Sequence, residues 1–329
     1  MRRAVKLEDK LDALSRLREN PGTPAARLEL GKYLDARSNL LVAKAAKIVA
    51  EFELRDHRPR LVEAFHRFMK EPATSDRGCA AKTEAVKALG ALAAEEGEVY
   101  LTGIHHIQME PSFGRPVDTA AGLRAASALG LVRMNHPDAL AELLELMVDR
   151  EDDARIGAVR ALAYSAKLEA EPVLRFKVLV GDTSAEVTSE CFTALISLAP
   201  ARSVGFVGRY VESGDAAVAE AAMMALGQSR HGDAIEILIK AFRPVLDESR
   251  RRSLLLSLAV ARQENALEFL FSLVKGAADN ISAEAVTALA MYRHNESIRG
   301  RVETLVTQRN QPGLLSVFRT EFGATPRGQ

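Results

Sequence analysis

The chain has 329 residues, 44 basic and 44 acidic, with 5% aromatics, no Trp and two cysteines. Two cysteines cannot build a disulfide framework or a four-cysteine zinc site, and the scarcity of aromatics argues against a strand-rich fold. No apolar run approaches the roughly 20 residues a membrane-spanning helix needs. The charge is unevenly spread: residues 1–93 hold 19 Lys/Arg and 13 Asp/Glu, residues 94–240 hold 13 and 22, and residues 241–329 hold 12 and 9. An acidic middle disfavours nucleic acid as a partner, because phosphate contacts supply most of the affinity of such complexes.

The opening MRRAVKLEDK is charged with no apolar stretch behind it, so no targeting segment is expected and the protein reads as cytoplasmic. Val5–Leu17 has the spacing of an amphipathic helix, and Asn20-Pro21-Gly22 marks a turn, which together delimit an N-terminal element over residues 1–22. Ala45, Ala46 and Val49, then Ala85, Val86 and Leu89, share one template: a small and an apolar residue, four and three places before a larger apolar one. That spacing marks one helical face. The template returns with anchors at Leu129, Leu162, Leu195, Leu226, Leu258 and Leu289, at intervals of 31 to 33 residues, which is the mark of a repeat protein.

Amphipathic segments precede the anchors: Ala139–Val148, Pro172–Val180, Val204–Val211, Ala234–Phe242 and Ala266–Val274. Asp182, Asp215, Asp247 and Asp279 stand between first and second helices, where helix caps belong. Two long loops, Glu71–Gly78 and Glu110–Asp118, interrupt the first repeats, and both carry Pro and Gly. Ile298–Val306 and Leu314–Phe322 predict a last hairpin, followed by a flexible tail over residues 323–329. The fold expected is all-α, one array over residues 23–322.

The strings AVKALG (residues 85–90), AASALG (125–130), VRALA (159–163) and AAMMALG (221–227) resemble the second helix of HEAT repeats. DDARIGAVRAL, residues 152–162, is similar to that family's Asp-x-x-Val-Arg stretch, with Arg155 at the Arg position. Gly122, Thr188, Ala219, Arg251 or a neighbour, and Ser282 stand at the matching places. The period resembles the compact bacterial type also found in phycobilin lyases. The resemblance implies an α-solenoid, a right-handed superhelix of eight or nine hairpins, with second helices lining the concave face.

Stacked hairpins bring equivalent loops to one edge, and insertions there commonly carry binding. That edge gathers Asp76, Arg77, Lys82, His106, Glu110, Phe113, Arg115 and Asp118 as candidate partner-binding residues, with Cys79 among them. Arg77 and Lys82 beside Cys79 are surroundings that lower a thiol pKa, while Cys191 reads as a buried core thiol. His106 and Glu110 would share a helix face and form a surface pair. No cofactor, metal site or catalytic residue is expected: the chain lacks Gly-rich phosphate loops, GxSxG and zinc-ligand spacing. It also lacks the His-Glu dipeptides of deoxyhypusine hydroxylase and the Trp and basic groove of HEAT-like alkylpurine glycosylases.

The function expected is that of a non-enzymatic scaffold binding another protein. The alternatives are a phycobilin-lyase-like enzyme or chaperone holding a small ligand near the long loops, and nucleic-acid backbone binding by the basic N-terminal third.

Overall fold

The computed structural model describes residues 7–323, so Val5 and Lys6 of the first predicted helix and residues 324–329 of the predicted tail lie outside the described residues. The chain divides into two compact units at Val173–Leu174. Among the described residues no helix is long and apolar enough to cross a membrane.

In the first unit α1 (Leu7–Leu17) precedes four helical hairpins. They are α2 (Pro24–Leu34) with α3 (Asn39–Glu51); α4 (Arg58–Met69) with α6 (Ala80–Ala91), linked through the short α5 (Pro72–Ser75); α7 (Gly97–Ile104) with α8 (Ala121–Arg133); and α9 (Ala139–Leu146) with α10 (Asp152–Tyr164). The second helices α3, α6, α8 and α10 pack one on the next. Their small residues permit close approach: a Cβ added at Gly157 on α10 would stand 2.3 Å from that of Ala125 on α8.

The division falls within α11 (Ala170–Val180), which α12 (Ala185–Leu198) follows in the chain. The second unit continues with α13 (Pro200–Gly208) and α14 (Ala216–Ser229), α15 (Gly232–Phe242) and α16 (Glu248–Ala261), α17 (Glu264–Gly276) and α18 (Asp279–Leu289), and α19 (Glu296–Arg309) and α20 (Pro312–Phe322). Here α12, α14, α16, α18 and α20 pack in succession. With the four hairpins of the first unit, these helices follow one another in nine successive pairs among the described residues, an all-α solenoid.

Caps follow the expected chemistry in part. Asp215 accepts from the amides of Ala217 and Val218 at the start of α14, and Asp247 accepts from Arg250 N in α16. Asp182 instead sits two residues before the cap residue Ser184, paired with Lys177 at 2.8 Å, and Asp279 is the first residue of α18, 2.9 Å from Arg309.

Leu162, Leu195, Leu226, Leu258 and Leu289 are fully buried, as are Leu89 and Val49. Leu129 is the exception: it is half-buried, and Leu131 takes the core position at 0% exposure. The backbone marks the same phase. A non-glycine residue with positive φ follows the core residue by four places, as Glu53, Ala93, Asn135 and Ala166 in the first unit and Arg230 and Arg262 in the second. Asn135 belongs to Leu131. The cause is Tyr100 of α7, whose ring lies where a Cβ on Gly130 would fall, 2.4 Å from it, and this turns Ser127, Ala128 and Leu131 inward. AASALGL offers apolar residues in both phases, so periodicity alone could not choose.

The corrected phase moves the Arg position seven places before the core residue from Gly122 to Arg124. Lys82, Arg124, Arg155 and Arg251 then occupy one repeat position, all buried.

Candidate functional site

The site grows from the two inserted loops of the first unit. After α7 ends at Ile104, the chain runs extended to a small antiparallel hairpin, β1 (Met109–Glu110) with β2 (Val117–Asp118), in which Met109 faces Asp118 and Glu110 faces Val117. Gly114 at the tip has φ +119°, a conformation that L side chains seldom adopt. His106 and Glu110 therefore share no helix. The surface pair expected of them is replaced by two separate contacts, because the helix stops six residues earlier than the Glu110-Pro111 boundary suggests.

Polar side chains fix the base of this hairpin. Asp118 accepts from the amides of Gln108 at 3.0 Å and Ala120 at 2.9 Å, and from Arg124 at 2.8 Å. Burial works against its charge, but these donors outweigh it and hold the carboxyl below its ordinary pKa. Arg124 also donates to the His106 carbonyl at 2.8 Å.

Glu110 Oε1 accepts from Gly78 N at 2.7 Å, Gln108 Nε2 at 2.6 Å and Thr119 Oγ1 at 2.9 Å; its pKa is likewise lowered, these bonds overcoming partial desolvation. Gln108 Nε2 reaches the Asp76 carbonyl at 2.8 Å. Glu110 and Gln108 thus stitch the second loop to the first.

The first loop is anchored from inside. Asp76 and Lys82 are both 0% exposed, with Lys82 Nζ 3.1 Å from Asp76 Oδ2. Asp76 also accepts from the amides of Ala81 and Lys82 and from Asn39 Nδ2. Expected on a contact surface, these two side chains are instead the buried fastening of the loop. Asp118 serves the same purpose in the next repeat, six residues before Arg124 as Asp76 is before Lys82.

Cys79 corrects a second expectation. Its side chain is fully buried, and burial pushes its pKa up to about 11 despite the opposing charge of Lys82. Cys191 is buried too, its pKa pushed up to about 12 by the same cause. His106 is half-buried, with Nε2 3.3 Å from Gln108 Oε1; burial lowers its pKa against that contact, and Lys82 adds to the lowering.

What reaches solvent from this edge is Arg77, Arg115 and Phe113, the last fully exposed. Ile107, Met109 and Val117 join them as exposed apolar side chains. These three lay outside the sequence-based selection; alternation around the Pro and Gly of the loop was the available signal.

Sequence reasoning also missed a cluster beside the hairpin. His105, the C-cap of α7, lies with Nε2 2.8 Å from Glu142 Oε2 of α9, and the donor atoms of His105, Glu142 and Glu145 all fall within 4.8 Å of one another. Separated by 37 and 40 residues, they carry no local motif.

One comparison bears on lineage. The family model for the PBS lyase HEAT-like repeat matches residues 218–243, the span of α14 and α15. That stretch is one HEAT-like helical hairpin within the chain. No curated protein matches it. Among solved structures the chain is similar to the complex of CpcE and CpcF of phycocyanin lyase from Nostoc sp. PCC7120 (16% identity, 73% of this chain and 89% of that one, TM-score 0.36). It is also similar to human deoxyhypusine hydroxylase (18% identity, 89% and 92%, TM-score 0.31) and to an engineered protein (17% identity, 97% and 94%, TM-score 0.35).

Proposed function

We propose that this protein is a non-enzymatic, cytoplasmic scaffold that binds another protein through the tip of the inserted hairpin, with Phe113 and Arg115 as anchors and Arg77 beside them. The observation carrying the reading is a fully exposed Phe113 on a loop whose base is held by buried polar bonds. Contiguous patches of exposed apolar side chains mark interaction sites, and loops held by a scaffold commonly carry them. Aromatic and Arg side chains dominate the energetics of such interfaces. Rigidity supports the same conclusion, since a loop already ordered loses little freedom on binding.

The buried thiols and the all-acceptor role of Glu110 and Asp118 leave no oriented nucleophile and base at this edge, which favours binding over catalysis. The test is capture of the native partner by the full chain. The double variant F113A/R115A should keep the wild-type melting temperature and lose at least about tenfold in affinity for that partner. Unchanged affinity in this variant, with loss on charge reversal of Lys87 and Arg133 along the second helices, would move the working surface to the groove between those helices.

A further inference from the structure

We infer that His105, Glu142 and Glu145 form a binding site for one divalent transition-metal ion of the zinc class. The three donors come from two successive hairpins: His105 caps α7, and Glu142 and Glu145 stand three residues apart on α9 and so share a helical face. All three donor atoms lie within 4.8 Å of one another, and the shortest separation, His105 Nε2 to Glu142 Oε2, is 2.8 Å. An ion bound at about 2.0–2.2 Å from each donor sets donor separations of about 3–3.5 Å, so small rotations of the exposed His105 and Glu145 side chains toward the half-buried Glu142 complete the geometry.

A second observation points to a ligand. Glu142 Oε2 is out of contact with solvent and has no aligned hydrogen-bond donor, although the imidazole nitrogen stands 2.8 Å from it. A ring nitrogen and a carboxylate oxygen facing each other without a good hydrogen bond suit a shared cation. The surroundings agree in charge. The three residues border a cavity of about 180 Å³ together with Asp149 and Arg124, and Arg124 is already committed to Asp118 and Asp149. One imidazole with two carboxylates selects zinc and its first-row neighbours over magnesium or calcium, which take oxygen ligands alone. Three protein ligands leave a coordination position for water or for a side chain of a partner. The absence of metal expected from sequence rested on motif spacing, to which this cluster, assembled across two hairpins, is invisible.

Isothermal titration calorimetry of the full chain with ZnCl2 in a non-chelating buffer tests the site. One ion should bind per chain, with H105A and E145Q each weakening binding by at least about tenfold, and H294A, at an exposed histidine of the other unit, leaving it unchanged. Circular dichroism on each variant checks that helicity is intact. Absence of saturable binding, wild-type binding by H105A, or an equal loss in H294A would overturn the assignment.

Discussion

Arg124 Nη2 on α8 donates to Asp149 Oδ1 across 3.0 Å, tying one hairpin to the turn that begins the second helix of the next. The same guanidinium holds Asp118 at the base of β2 and the carbonyl of His106. One side chain therefore carries both the stacking of two repeats and the orientation of the inserted hairpin. Its environment is nearly water-free, with the Arg124 side chain 3% exposed.

Replacing Arg124 by Met should cost on the order of 2–4 kcal/mol, because a buried guanidinium is lost and two half-buried carboxylates are left without their cation. Chemical denaturation measures it. A loss below about 1 kcal/mol would show that Asp118 and Asp149 are satisfied by their backbone donors alone.

The register of α8 gives a paired prediction. Leu131→Ala, at a fully buried position, should cost about 2–5 kcal/mol, and Leu129→Ala, half-buried, clearly less. The reverse order would restore the phase that the Ala-Leu pattern implies.

Stability should fall in acid in two stages. His57 and His106 have lowered pKa values, burial being the first cause in each, so the folded state prefers them neutral. As pH drops below the ordinary value of 6.5 the unfolded chain takes up more protons, and stability is lost. Asp118 and Glu110 are lowered by their donors, so what they contribute is present above their ordinary values of 3.8 and 4.5 and is lost as pH falls through that range. Melting temperature recorded from pH 7.5 to 3 should decline over both windows, and His57→Asn should flatten the upper one. An upper stage unaltered in that variant would assign the loss to other groups.

Left-handed residues at the helix ends offer a gain. Ala93 has φ 51° and an exposed side chain, a conformation that disfavours any residue with a Cβ. Ala93→Gly should raise stability by a few tenths to about 1 kcal/mol in a denaturant titration; a decrease would mean that the flexibility gained by the unfolded chain outweighs the relieved strain.

The repeat fold was legible because helix periodicity and repeat spacing reinforce one another at Leu162, Leu195, Leu226, Leu258 and Leu289, each reading supporting the next. Around Leu129 they diverge, since two apolar phases coexist and only the ring of Tyr100 decides between them. The edge was legible as a place, because Pro and Gly betray inserted loops. Its side-chain directions were not: Asp76 and Lys82 have the composition of a surface, and burial as a pair depends on Asn39 and on the turn at Gly78, which no local pattern records. The cluster at His105 depends wholly on packing between hairpins.

Both native thiols are buried, and burial pushes their pKa values up to about 11 and 12, so neither presents an exposed thiolate. A cysteine introduced in place of Phe113 would then be the single addressable point on the described surface. A fluorophore or cross-linker attached there would report directly on whatever approaches the hairpin tip, against a silent background.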